Sequence, residues 1–222
     1  MAFIVEPRMP PVTARLLALT LGLSLAAAID ARMGGNLYHH LALVPEDVWR
    51  GQIWRLATWP FVLGGPLGLI FTCSALYVFG SDLAVAWGSR RYLRTLALVV
   101  GGAGAGTCVL GLVLPGVSWM PYLGGMALAD AITIGWARQF PHQRVHIYLL
   151  TVRGESLVNV VVAVTGIFAV YFGFTWMLPE LLVVAAALVV TDRSVRRRWL
   201  TWRLARVRRH LSVVRGEPAD DP

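Results

Sequence analysis

"RGQIWRLATWPFVLGGPLG", residues 50–68, carries Arg50 and Arg55, Trp54 and Trp59, and then a glycine-rich apolar exit. Arginine stays charged at physiological pH and offers a planar fork that suits phosphate or carbonyl oxygens. Tryptophan is apolar over most of its surface and keeps one N–H for a polar partner, which suits headgroup depth. Together they read as a loop held at a membrane boundary. Long apolar runs on both sides of the stretch agree with that reading.

The whole chain agrees as well. Its 222 residues are 57% hydrophobic and 14% charged, with a mean hydropathy of +0.63. A soluble domain of this length carries more charge, so the class is integral membrane. The formal net charge is +8, and every basic residue other than histidine is arginine. That charge lies between and after apolar runs, which points to anionic lipid rather than nucleic acid. Cys73 and Cys108 both fall inside apolar runs, so neither a disulfide framework nor a zinc site is indicated. His39 and His40 are an adjacent loop pair without metal-ligand spacing, and no cofactor is implied.

A helix crosses the hydrocarbon core with about 20 mostly apolar residues. Six stretches qualify as candidates: Val12–Ile29, Gly65–Trp87, Thr95–Leu114, Tyr122–Phe140, Ser156–Trp176 and the shorter Leu178–Val190. The first, with Arg8 and Arg15 ahead of it and "LAAAIDA" at its end, also resembles a cleavable signal sequence. Arginine placement sets an orientation. Arg8 and Arg15, "SRRYLR" at 89–94, Arg138, Arg144, Arg153 and the tail share one side, and the positive-inside rule makes that side cytoplasmic. Both termini are therefore expected inside and segment 30–64 outside, with Arg50 and Arg55 on the unfavoured side. With no organelle signal in view, a bacterial plasma membrane is the expected home, and an endoplasmic-reticulum home stays open.

Residues 193–215 hold nine arginines and no acid, with Leu200, Leu204, Val207, Leu211 and Val214 at helical spacing. Arg196, Arg197, Arg198, Trp199, Trp202 and Arg203 then form the lipid-facing part of a basic amphipathic tail helix. A stop-transfer cluster followed by a solvated helix fits equally. The chain divides into a membrane domain, 1–192, and this tail, 193–222.

At "GQIWRLATWPF" the pattern becomes specific. Gly51, Gln52, Trp54, Arg55, Leu56 and Thr58 resemble the first-loop signature of the rhomboid superfamily, and "LYVFGSDLAVAWGSRRYL" at 76–93 resembles its second helix and turn. "GGPLGLIF" at 64–71 is closest to the derlin branch, whose members have no protease activity. The resemblance spans roughly 12–190, with specific motifs in the first third only. It implies an all-α membrane protein: a six-helix rhomboid-like bundle with a long interfacial first loop and a basic tail helix.

Rhomboid proteases use a serine in Gly-x-Ser-Gly on the fourth helix and a histidine on the sixth. Here "YLGGMALADAI" sets Met126 at the nucleophile position, and a thioether has no proton to lose. The sixth stretch lacks histidine, and no serine occurs between Ser118 and Ser156. The second-helix positions that help the oxyanion fall on Gly68 and Thr72, and the glutamate expected before Gly88 is Ala84. The resemblance therefore implies a pseudoprotease, with no catalytic residue.

Ionisable groups inside spans are functional candidates by default. Asp130 lies one turn after Met126 and has Thr133 or Thr72 as candidate partners, besides an arginine; Asp82 sits near the end of the second helix. Glu180 is read at the edge of the sixth stretch, where snorkelling would serve it. Gly102 and Gly106, four residues apart in "VVGGAGAGTCVLG", are expected to pack the third helix closely. The resulting expectation is a membrane protein that binds transmembrane clients without peptide hydrolysis. An active intramembrane serine protease is the alternative, and a small transporter or channel subunit using Asp130 is the third reading.

Overall fold

The structure is a computed structural model that describes residues 9–192 other than 125, 148 and 149. The tail with Arg196, Arg197, Arg198, Trp199, Trp202 and Arg203 lies outside the described residues. The described residues are mostly helical, and among them four helices are long and apolar enough to cross a membrane. The first is α1 (Pro11–Arg32), which starts with proline where the missing N–H has no intrahelical partner to lose. The second is the continuous helix Pro66–Trp87, composed of α5 (Pro66–Ala75), a π-helical turn at Leu76–Gly80, and α6 (Ser81–Trp87). The others are α7 (Ser89–Val113) and α10 (Gly154–Phe172). Gly88 and Gly173 take positive φ angles of 76° and 96°, letting the chain reverse after α6 and α10.

Between α1 and α5 the loop folds into α2 (Leu37–Leu41), α3 (Pro45–Trp49), α4 (Arg55–Thr58) and a 3₁₀ turn, Trp59–Phe61. A short α8 (Pro115–Ser118) follows α7. Next come α9 (Ala127–Gln139) and α11 (Leu178–Thr191), which are shorter than the spans expected at those places. With 13 and 14 residues they run about 20 Å at about 1.5 Å per residue, less than a hydrocarbon core of about 30 Å. Among the described residues, the six expected stretches thus comprise four helices long enough to cross and two short ones. For α9 the cause is local. Leu43 and Tyr122 exchange backbone hydrogen bonds of 2.8 and 2.9 Å, and the Gly124 N–H donates to the Val62 carbonyl at 2.9 Å. Residues 122–124 are therefore tied to the first loop as extended chain rather than wound into the helix. An antiparallel hairpin of β1 (Arg144–Ile147) and β2 (Leu150–Arg153), with Arg144 opposite Arg153, joins α9 to α10 and was not expected.

Short as it is, α9 is the central post. Every residue from Ala127 to Ala137 is buried, and α5, α7, α10 and α11 all pack on it. A helix apolar on all sides belongs at the middle of a bundle. The first apolar stretch, with its signal-like look, is a packed member of the same bundle: Val12 and Leu16 join the core. Its Ser24 hydroxyl donates to the Phe61 carbonyl at 3.0 Å and accepts from the Leu63 N–H at 3.2 Å.

The expected packing stripe on α7 is displaced. A Cβ on Gly102 would meet open space, and one on Gly106 would touch only Leu182 Cδ1 at 3.4 Å. The close approaches are at Gly104 and Gly111, two turns apart on one face. A Cβ there would lie 3.0 Å from Trp59 Nε1 and 3.0 Å from Pro45 Cβ respectively. What these small residues admit is therefore the first loop, rather than a neighbouring long helix. The tryptophans divide accordingly. Trp59 is completely buried, whereas Trp49, Trp54, Trp119 and Trp176 are exposed on loops joined at one end of the bundle, as an interfacial belt requires.

Candidate functional site

Two constructions stand out, the braced first loop and a cavity among the helices. In the loop, Gly51 adopts φ 102°, which ends α3 and reverses the chain toward α4. Arg55 then turns inward and is only 1% exposed. Its Nη2 pairs with Asp47 Oδ2 at 2.9 Å, its Nε donates to Gln52 Oε1 at 2.8 Å, and its Nη1 donates to the carbonyls of Ala42, at 2.7 Å, and His39. Burial lowers the Arg55 pKa from its usual value and the Asp47 charge opposes that; a guanidinium remains protonated regardless. The Thr58 hydroxyl donates to the Leu41 carbonyl at 3.0 Å. Gly51, Gln52, Arg55 and Thr58 thus brace the loop from within. The Arg55 fork binds backbone carbonyls and an acid, which corrects the option of a lipid phosphate for it. Trp54, exposed, is the motif's outward residue, and Arg50 pairs with Glu46 at 2.6 Å on the surface.

The loop is also what shapes the segment leading into α9. A Cβ on Gly124 would lie 2.6 Å from the Trp59 carbonyl oxygen and 2.7 Å from Pro60 backbone atoms, so the two chains pass in direct backbone contact. That contact sets where Met126 emerges at the start of α9.

Met126 lines a cavity of about 380 Å³ enclosed by α5, α9, α10 and α11. That size is near the low end of ordinary ligand pockets, about 300–1,000 Å³. Its inner wall carries Asp130, Thr133, Thr165 and Glu180, each less than a tenth exposed. The Thr165 hydroxyl donates to Asp130 Oδ2 at 3.4 Å. At the outer wall Phe71 and Val78 face Val160, Val164 and Phe168, and all five are exposed. Since α5 and α10 each pack on α9 but scarcely on each other, the cavity opens sideways between them.

The other sequence candidates are placed elsewhere. Thr72 is fully buried with no hydrogen-bond partner for its hydroxyl, and Thr165 occupies the role considered for it beside Asp130. Asp82 accepts a 2.9 Å hydrogen bond from Trp136 Nε1 and ties α6 to α9, away from the cavity. Glu180 is 6% exposed and lines the cavity, which corrects its reading as a snorkelling edge residue. Pro179 is the second residue of α11, and Glu180 follows it in the first turn, beside the helix N-terminus that favours an acid there. That Pro-Glu pair ahead of an apolar run was the available signal. Asp47 and Thr165 carried none, since their partners are distant in the chain.

A family model described as eukaryotic integral membrane protein (DUF1751) matches residues 13–199. The chain belongs to that family. The match takes in the braced loop, the helices and the whole cavity wall. The DUF1751 family is eukaryotic, which overturns the expectation of a bacterial plasma membrane; a multi-pass membrane protein fits. Arginine counts around spans report sidedness and are silent about which membrane is crossed, so the error lay in reading a home from the lack of an organelle signal. No curated protein matches the chain.

Proposed function

We propose that this DUF1751 protein is a rhomboid-like pseudoprotease: a six-helix bundle, α9 and α11 being its short members, that holds transmembrane helices of client proteins without hydrolysing them. The observation that carries this reading is the sideways-opening cavity with Met126 on its wall. A thioether supplies no nucleophile, and among the described lining residues no histidine is present to act as a base. Ser74 lines the α5 side without such a partner. The exposed aromatic and β-branched rim suits an apolar helix, and the braced loop keeps the α9 entrance rigid.

The test uses the full chain in lipid vesicles with a fluorescent single-span helix. Association by energy transfer is expected, and Val164→Trp at the cavity mouth is expected to abolish it while leaving the thermal midpoint unchanged. Cleavage of that helix, together with fluorophosphonate labelling lost on replacing a single serine, would overturn the reading in favour of a protease.

A further inference from the structure

Among the described residues, the inner end of the cavity holds two acids and no cation. Asp130 and Glu180 both line it, at 8% and 6% exposure, on the packed helices α9 and α11. Asp130 has the Thr165 hydroxyl as its hydrogen-bond donor. Glu180, more than nine-tenths buried, has its own backbone N–H at the α11 N-terminus beside its carboxylate, but neither a hydrogen bond nor an ion pair to any described side chain. Among the described lining residues there is no arginine or histidine, and the chain contains no lysine. An acid buried in a membrane domain is costly unless it finds a donor or a cation. Thr133 and Thr165 add two hydroxyls beside the acids, so the inner end is acceptor-rich while the rim is apolar.

That gradient describes the occupant. It must be apolar where it passes Phe71, Val164 and Phe168 and must present a cationic donor about a side-chain length further in. The cavity has room for one or two long side chains rather than for a helix backbone. A hydrated metal ion fits poorly, since among the described residues no three potential ligands gather and the rim offers an ion nothing. Resting on the client-binding reading above, we infer that the preferred clients are transmembrane helices bearing one arginine or lysine within the span, whose side chain enters between α5 and α10 to meet Glu180 and Asp130. Such a residue is itself expensive in lipid. Both partners thus leave an unfavourable state on binding, and purely apolar helices are discriminated against.

The experiment compares three model helices, identical except for Arg, Leu or Glu at one mid-span position, binding the full-length protein in vesicles of one neutral lipid. The Arg helix is expected to bind at least about tenfold more tightly than the Leu helix, and the Glu helix the most weakly. Glu180→Gln and Asp130→Asn, near-isosteric changes that remove charge alone, should each erode the Arg preference while the Leu helix binds as before. Unchanged thermal midpoints show that the fold survives. Equal binding of all three helices would overturn this inference and leave client binding standing. No binding by any helix would remove the client reading itself. A thermal shift with calcium or sodium that vanishes in Glu180→Gln, with no preference for the Arg helix, would assign the acids to an ion and also overturn it.

Discussion

Replacing Arg55 by alanine should loosen the whole first loop. The side chain holds Asp47 at 2.9 Å, Gln52 at 2.8 Å, the Ala42 carbonyl at 2.7 Å and the His39 carbonyl. Breaking a buried ion pair by deleting one partner costs about 3–5 kcal/mol, because the surviving charge is left without compensation. The Asp47 side chain keeps 15% of its exposure and is partly relieved by water, which brings the expectation to about 3 kcal/mol. Arg55→Lys keeps the charge but loses the fork, and should cost about half as much. Arg50→Ala is the control: its side chain is 67% exposed beside Glu46, and surface pairs are worth about 0–1 kcal/mol. The assay is reversible unfolding in mixed micelles followed by tryptophan fluorescence, with a double-mutant cycle against Asp47→Asn. A coupling of about 1–2 kcal/mol is expected for these contacting residues. Stability of Arg55→Ala within about 0.5 kcal/mol of the parent, the range of ordinary surface changes, would refute the account of a loop braced from within.

Other consequences follow from packing. Gly104→Ala forces a methyl to 3.0 Å from the completely buried Trp59 ring and should lower stability by about 1 kcal/mol, whereas Gly102→Ala, facing open space, should be neutral or slightly stabilising. Gly124→Ala meets backbone at 2.6–2.7 Å, which cannot yield as a side chain does, and should cost about 3 kcal/mol; the same unfolding assay ranks the three. Trp136→Phe removes the 2.9 Å donor to Asp82 and should cost about 1 kcal/mol, a loss that Asp82→Asn would share only in part, because an amide oxygen still accepts, though more weakly than a carboxylate.

Much of the helical layout was readable from hydropathy alone, because a run such as 154–172 is apolar whatever its neighbours do. The start of α9 was not readable. Residues 122–124 fall in a stretch that looks like helix locally, yet they are held extended by Leu43 and Val62, which lie far away in the chain. The same distance hid Asp47 as the partner of Arg55, although the motif residues themselves were legible. Gly102 and Gly106 matched a familiar spacing, but which face of α7 needs room depends on where Trp59 and Pro45 come to rest. At the cavity, Asp130 and Met126 were visible as an acid and a thioether one turn apart. Glu180 was visible as an acid but its burial was not, since an acid near the end of an apolar run ordinarily reaches water, and the burial of the α11 N-terminus against its neighbours prevents that.

The central claim, that client helices dock at the mouth of the cavity, is tested most directly by placing a photoreactive residue at position 126 in the full chain within its native membrane. A second chain carries the probe at Leu98 on the outward face of α7, which is 68% exposed. The account predicts protein adducts from 126, mapping to membrane-spanning segments of other proteins, and chiefly lipid adducts from 98. Lipid adducts alone from both positions would contradict it.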